Sequence, residues 1–279
     1  MRKNVFFLAA AMAAMCLNSC TDEASVNDPH MVDVQVNFRG FTVETDPMTR
    51  SSSVTDYVTK LDVWLYESGA EFCSVHQTNA DAAFGSINLT LDKTKSYTLY
   101  AVAHKADGAT LSDGVISFTD NKVTHSFFTS WTFTPTPDMS LDLMMRRIVA
   151  QFQFVTTDAV PDWCKSIRFT ISDVFDRWSV EGYGVHDLDR TSTVNITSTK
   201  QDGTVVCNVY AIVSSESTTH DVLIEALDAD GNVRESHTIP NLPLINNQRT
   251  IATGAFFTDA ASTFSFLAEE WGADINVTF

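Results

Sequence analysis

The 279-residue chain is short of positive charge: 18 Lys and Arg stand against 35 Asp and Glu, for a formal net charge of −17. Nucleic acids and anionic lipid surfaces are held by clustered Lys and Arg, so this deficit argues against both as partners. Cysteine is scarce as well. Beyond Cys20 there remain Cys73, Cys164 and Cys207, odd in number, widely spaced and without a CxxC pair. That spacing disfavours a disulfide framework and a structural zinc site. Cys73 and Cys207 lie in or beside apolar runs and read as buried free thiols. No stretch of eleven or more residues carries a 3.6-residue period, so short helices or 3₁₀ turns are the most to expect, with Asp158–Cys164 the place for one.

Signals for catalysis are equally sparse. There is no Gly-x-Ser-x-Gly elbow and no His-Glu-x-x-His. Glu269 and Glu270 are adjacent, so on a strand they face opposite sides and cannot flank one substrate. The seven histidines are scattered, mostly beside turns. Asp228-Ala229-Asp230-Gly231-Asn232 has the composition of a calcium loop, but its glycine comes too early for an EF-hand and a hairpin turn explains it better. The five tryptophans, Trp64, Trp131, Trp163, Trp178 and Trp271, could form a carbohydrate platform only if the fold gathered them; packing in the core or at an edge is the ordinary role. Neither enzyme activity, cofactor nor metal is expected.

What the chain does have begins at its start. Arg2 and Lys3 precede an apolar run from Val5 to Leu17, which ends in Leu17-Asn18-Ser19-Cys20. The run is about 13 residues against the roughly 20 a bilayer requires, so it reads as a secretory signal peptide. Its ending resembles the lipobox of bacterial lipoproteins, which implies cleavage before Cys20 and a lipid on that thiol. Residues 1–19 are then the leader, and 20–31 a polar tether. Thr21-Asp22-Glu23 resembles the acidic surface-export signal of Bacteroidetes lipoproteins and reads equally as a solvated tether.

After the tether nearly every periodic segment has period two. Val32, Val34, Val36 and Phe38 alternate with Asp33, Gln35 and Asn37. Leu61, Val63 and Leu65, then Ile87, Leu89 and Leu91, then Ile167, Phe169 and Ile171 do the same. Tyr97–Ala103, Ile148–Val155, Val205–Val213 and Val222–Leu227 are further strand runs. Ser68-Gly69, Asp107-Gly108, Asp113-Gly114, Asp202-Gly203 and Asp230-Gly231 supply tight turns. The chain is therefore all-β. A faint repeat sets Val32–Phe38, Thr59–Tyr66 and Tyr97–Val102 against Arg147–Phe154, Ser166–Val174 and Cys207–Val213, which predicts two tandem β-sandwiches. Thr134-Pro135-Thr136-Pro137-Asp138 is the natural boundary, giving domains 32–138 and 139–279. Arg146 and Arg147 open the second, either to pair with acids across the junction or to sit in a solvated turn.

The order of segments resembles the fimbrillins and FimB-like fimbrial anchors of Bacteroidales. It runs VDVQVNF, MTRSSS, WLYESG, SYTLYAVAHKADG, LMMRRIVAQFQF with Arg147 and Ala150, VPDWCKSIRFTI, IPNLPLINNQRTIATGAFF with its P-L-x-x-N-x-R-T-x-x-x-G motif from Pro243 to Gly254, and a closing Trp271-Gly272 strand. The resemblance implies transthyretin-like sandwiches, a place on the outer membrane or in a fimbrium, and a role in building or anchoring a surface filament for cell adhesion. It also implies joining of subunits by strand exchange. In that family a protease cuts after an arginine in the loop following the first strand, which the resemblance implies is Arg50 here, and loss of Val32, Val34, Val36 and Phe38 would then open a groove for a neighbour's C-terminal strand. Ile275, Val277 and Phe279 give this chain's own end a period-two apolar face suited to that donor role. The partners implied are other fimbrial subunits, and the membrane through Cys20. The competing expectation is a glycan-binding surface lipoprotein of the outer membrane.

Overall fold

The computed structural model describes residues 28–40, 58–197, 199–213, 218–258 and 265–270. Eighteen strands follow one another: β1 (Met31–Arg39), β2 (Lys60–Glu67), β3 (Ala70–Thr78), β4 (Ser86–Asp92), β5 (Tyr97–His104), β6 (Ala109–Ser112), β7 (Val115–Phe118), β8 (Phe127–Phe133), β9 (Met139–Met144), β10 (Arg146–Arg147), β11 (Ala150–Thr156), β12 (Ser166–Ser179), β13 (Gly184–Asn195), β14 (Val206–Ala211), β15 (Thr218–Leu227), β16 (Val233–Leu244), β17 (Gln248–Gly254) and β18 (Ser265–Glu270). The expected helix near Asp158–Cys164 is a plain turn, closed by the Cys164 N–H on the Pro161 carbonyl at 3.0 Å. Among the described residues a 3₁₀ turn lies instead at Thr119–Asn121.

The strands build two β-sandwiches. The first packs a three-stranded sheet (β4-β1-β9) on a five-stranded one (β10-β8-β5-β2-β3). The second packs a four-stranded sheet (β14-β11-β17-β18) on a six-stranded one (β16-β15-β12-β7-β6), with β13 also on β12. Period-two alternation puts Val34, Val36, Leu61, Val63, Leu89 and Leu99 into the first core, and Phe152, Phe154, Phe169 and Ile224 into the second. Hairpin chemistry holds where it was read at Ser68-Gly69 and Asp113-Gly114, each with two successive positive φ values.

The repeat is genuine at its first two members. Strand β1 has β4 antiparallel on one side and β9 parallel on the other; β11 has β14 antiparallel and β17 parallel. The third members do not correspond, because β5 lies in the large sheet and β14 in the small one. One difference between the halves follows: β17 carries a further strand, β18, whereas β9 is the outer strand of its sheet.

Two pairings shift the boundary drawn at residue 138. Strand β9 belongs to the first sandwich through its ladder with β1, so Thr134–Asp138 is a turn within that sandwich, with the Met139 N–H on the Thr136 carbonyl. In the other direction, the β6–β7 hairpin leaves the first half of the chain and joins β12 of the second sandwich, with Ile116 opposite Trp178. A third apolar core fills the junction, with Trp64, Val102 and Phe128 on one side and Ile116, Phe118, Ile148 and Trp178 on the other.

Beside this core Asp62 is buried between two imidazoles, 2.6 Å from His104 Nε2 and 2.6 Å from His76 Nδ1. His104 Nδ1 accepts the Ala106 N–H at 3.0 Å, so His104 carries its proton on Nε2 and donates it to Asp62. Burial acts to raise the Asp62 pKa, but the hydrogen bonds from His104 and His76 outweigh it, and the carboxyl stays below the ordinary aspartate value. Asp62→Asn removes the charge these donors face and is expected to cost about 2 kcal/mol, read as a fall in urea midpoint. An unchanged midpoint would show the triad to be structurally idle.

Candidate functional site

The first strand is central in its sheet, yet its two neighbours do not pair with each other. Val34 lies between Leu89 and Met139, and Val36 between Ile87 and Leu141; Phe38 faces Leu143 in the ladder with β9. Val34, Val36 and Phe38 are buried, while Val32 is half-buried at the strand's start. Burial of three such side chains contributes about 6 kcal/mol. The polar residues between them tie the outer face: Thr90 donates to Asp33 at 2.8 Å, Ser86 to Asn37 at 2.9 Å, and Arg39 meets Asp142 at 3.2 Å.

The strand ends at Gly40, whose φ of +85° suits glycine, and a Cβ there would run into the Met144 sulfur and lie 2.8 Å from the Met145 carbonyl oxygen. Gly40 thus closes the strand ten residues before Arg50 in the sequence. Arg50 itself, Cys20, and Ile275, Val277 and Phe279 lie outside the described residues. What can be followed of the C-terminal segment is β18, antiparallel to β17 at the sheet's outer edge.

The root of that segment is clasped. The Asp158 carboxylate accepts the backbone N–H groups of Phe256 (3.0 Å), Phe257 (2.6 Å) and Thr258 (2.9 Å), and the Thr258 hydroxyl at 3.0 Å. Burial acts to raise its pKa, but these hydrogen bonds prevail and hold the carboxyl below the ordinary value. Phe256, now fixed, packs edge-on against Phe154 and His237. Asp158 was not singled out in the sequence, since one aspartate before a proline-containing turn has no pattern of its own.

Arg147 corrects the reading of a solvated turn or an acid pair. It is buried, donates from Nε to His125 Nε2 at 2.7 Å and from an η nitrogen to Asn247 Oδ1 at 3.2 Å, and lies over the Phe127 ring. Burial first, then the charges of Arg147 and Lys105, lower the His125 pKa to about 3, so His125 is neutral and can accept. Arg146 is exposed. Cys207 is a buried free thiol as expected, and so is Cys164; burial pushes Cys207 up to about 12. Cys73 is instead half-buried. Asp228 accepts the N–H groups of Asp230 and Asn232, which makes its loop an Asx-closed hairpin turn.

Trp271 lies outside the described residues, and the other four tryptophans are only partly dispersed in space. Trp64 is buried in the junction, and Trp163 packs on Phe257 beneath Arg234. Trp131 and Trp178 line one cavity of about 780 Å³ between the sandwiches.

Similarity to known proteins is visible in the fold alone. No protein-family model and no curated protein sequence matches the chain. Solved structures do. A candidate adhesin from Bacteroides thetaiotaomicron superposes with a TM-score of 0.54 at 10% identity, over 90% of this chain and 100% of that one. A candidate adhesin from Bacteroides ovatus gives 0.53 at 12% identity, over 85% and 95%. The chain has the Bacteroides adhesin-like fold. A candidate polysaccharide-binding protein of B. thetaiotaomicron shares it as well, at a TM-score of 0.51 and 10% identity, over 88% and 98% of the two chains.

Proposed function

We infer that the chain is a surface lipoprotein of a fimbrial assembly, a subunit or anchor that joins its neighbours by β-strand exchange and serves adhesion rather than catalysis. The observation that carries this reading is the position of β1. It bridges two strands that do not otherwise pair, fills the first core with Val34, Val36 and Phe38, and is followed by Gly40 at a positive φ, ten residues before Arg50 in the sequence. Its withdrawal would leave two open ladders and an apolar trough, the kind of edge that another strand fills. The leader ending at Cys20 supports lipid attachment at the outer membrane, and the fold shared with candidate adhesins supports the adhesive role.

The test is the N-terminus of the protein taken from cells, by intact mass and terminal sequencing. A start at Ser51 in purified filaments is expected if the chain is a shaft subunit, because cleavage after Arg50 sheds both lipid and β1. An acylated Cys20 in protein that co-purifies with filament bases is expected if it is an anchor. Protein that never accompanies filament subunits, whatever its N-terminus, overturns the assembly reading.

A further inference from the structure

The cavity between the sandwiches is a consequence of the broken repeat. Where β17 of the second sandwich is covered by β18, the outer edge of β9 in the first pairs with no further strand among the described residues. Five consecutive residues of β9, Ser140 to Met144, line the cavity. So do four of β8, Phe128 to Trp131, of which only Phe128 is paired by the short β10. Consecutive residues of a strand point to opposite faces, so lining by all of them means that the cavity runs along the strand edges, where backbone donors and acceptors are presented.

The walls add three features. Trp131 is 52% exposed at the rim, an indole face open to stacking. On the far wall, supplied by the second sandwich, the Trp178 indole N–H and the Asn246 side-chain carbonyl are both shielded from solvent without a hydrogen-bond partner. Trp178 as a whole is only 5% exposed. A buried orphan donor or acceptor costs about 1–3 kcal/mol, a penalty that an arriving hydroxyl group removes. The charge is also reversed against the rest of the molecule. Arg146 and Arg147 stand in the lining against one acid, Asp142, and Asp142 is already paired with Arg39. Arg147 is engaged by His125 and Asn247, which leaves the exposed Arg146, among the described lining residues, as the cation open to a ligand.

We propose that this cavity is a binding site for an acidic saccharide, with a sugar ring stacked on Trp131, hydroxyl groups meeting the strand edges, Trp178 and Asn246, and a carboxylate at Arg146. An extended peptide added to β9 is the competing occupant. It would pair with β9 or β8 and leave the orphan groups on the opposite wall unmet, whereas a polyhydroxylated ligand reaches walls in several directions. Because Trp178 and Asn246 are shielded, binding includes a local side-chain adjustment. The proposal needs neither cleavage at Arg50 nor loss of β1, so it stands or falls apart from the assembly reading.

The test is calorimetric titration of the intact chain with a hyaluronan hexasaccharide, which carries glucuronate, and with neutral cellohexaose. The acidic sugar is expected to bind at least about tenfold more tightly, a difference of about 1.4 kcal/mol. Trp131→Ala should weaken both sugars at least about tenfold, while Arg146→Gln should abolish the preference and leave the neutral affinity in place. Both side chains are exposed, and unchanged thermal midpoints verify the fold. No binding of either sugar at millimolar concentration overturns the proposal, as does binding that Trp131→Ala leaves untouched. Equal affinity for the two sugars overturns the acidic assignment. A synthetic peptide of residues 265–279 that binds, and binds more weakly to Trp131→Ala, where neither sugar binds would identify the groove as a strand acceptor instead.

Discussion

Val36→Asp is expected to destabilise the first sandwich by about 5 kcal/mol or to prevent its folding. Val36 is fully buried between Ile87 and Leu141, so the new carboxylate would sit in the apolar core with no partner. Val32→Asp, at the half-buried start of the same strand, should cost about 1 kcal/mol and serves as the control. Urea unfolding reads both. The pair has a sharper use in testing exchange. A chain stripped of residues up to 50 should be stabilised by a synthetic peptide of residues 30–40, and the same peptide with Asp in place of Val36 should give nothing. If the native peptide also gives no rise in midpoint, the trough does not accept a strand and the exchange mechanism fails.

Asp158→Ala is the second large effect, expected at about 3 kcal/mol. It removes a charged acceptor from three backbone N–H groups and a hydroxyl, and leaves the part-buried N–H groups of Phe256 and Phe257 with nothing to meet. Asp158→Asn should cost about 2 kcal/mol, since one carbonyl oxygen remains but the new amide N–H₂ opposes the same donors. The pH dependence has a definite sign. The folded carboxyl titrates below the ordinary 3.8, so its stabilisation is complete above that pH, declines below it, and is gone once pH falls past the folded value. The difference in urea midpoint between wild type and Asp158→Ala should therefore be full at pH 7 and shrink toward zero in acid. A difference that persists unchanged would mean that packing of Phe256, not the carboxylate, holds the segment's root.

The parts of the fold legible in the sequence are those set by local chemistry. Strand β1 is a clean alternation, and the turns at Ser68-Gly69 and Asp113-Gly114 are dictated by backbone sterics. Strand β16 shows the limit. Pro240 and Pro243 argue against a strand, but β16 is an edge, and residues 240–241 form a bulge opposite Asp221, with Asn241 at a positive φ. The domain boundary illustrates a different gap. A proline-rich polar stretch has the same composition whether it links domains or turns between β8 and β9, and only pairing partners distinguish the two. The cavity was illegible for the same reason: Trp131, Trp178 and Asn246 are brought together by the packing of two sandwiches, and no local pattern encodes it. The Asp62 triad depends likewise on neighbouring strands, since His76 and His104 flank Asp62 from β3 and β5.

The β6–β7 hairpin has a mechanical meaning. A surface filament is loaded in tension, and two domains joined by a single peptide connection would share that load only through the connection. Here the hairpin grows out of one sandwich and is stitched into the sheet of the other, with Ser117, Ile116 and Val115 paired to Arg177, Trp178 and Ser179. A pull applied across the molecule is carried by that ladder and the apolar junction together, so the two halves act as one stiff link rather than as beads on a string. The hairpin is in effect a tie rod, and the compliance of any fibre built from this chain would reside between subunits and not within them.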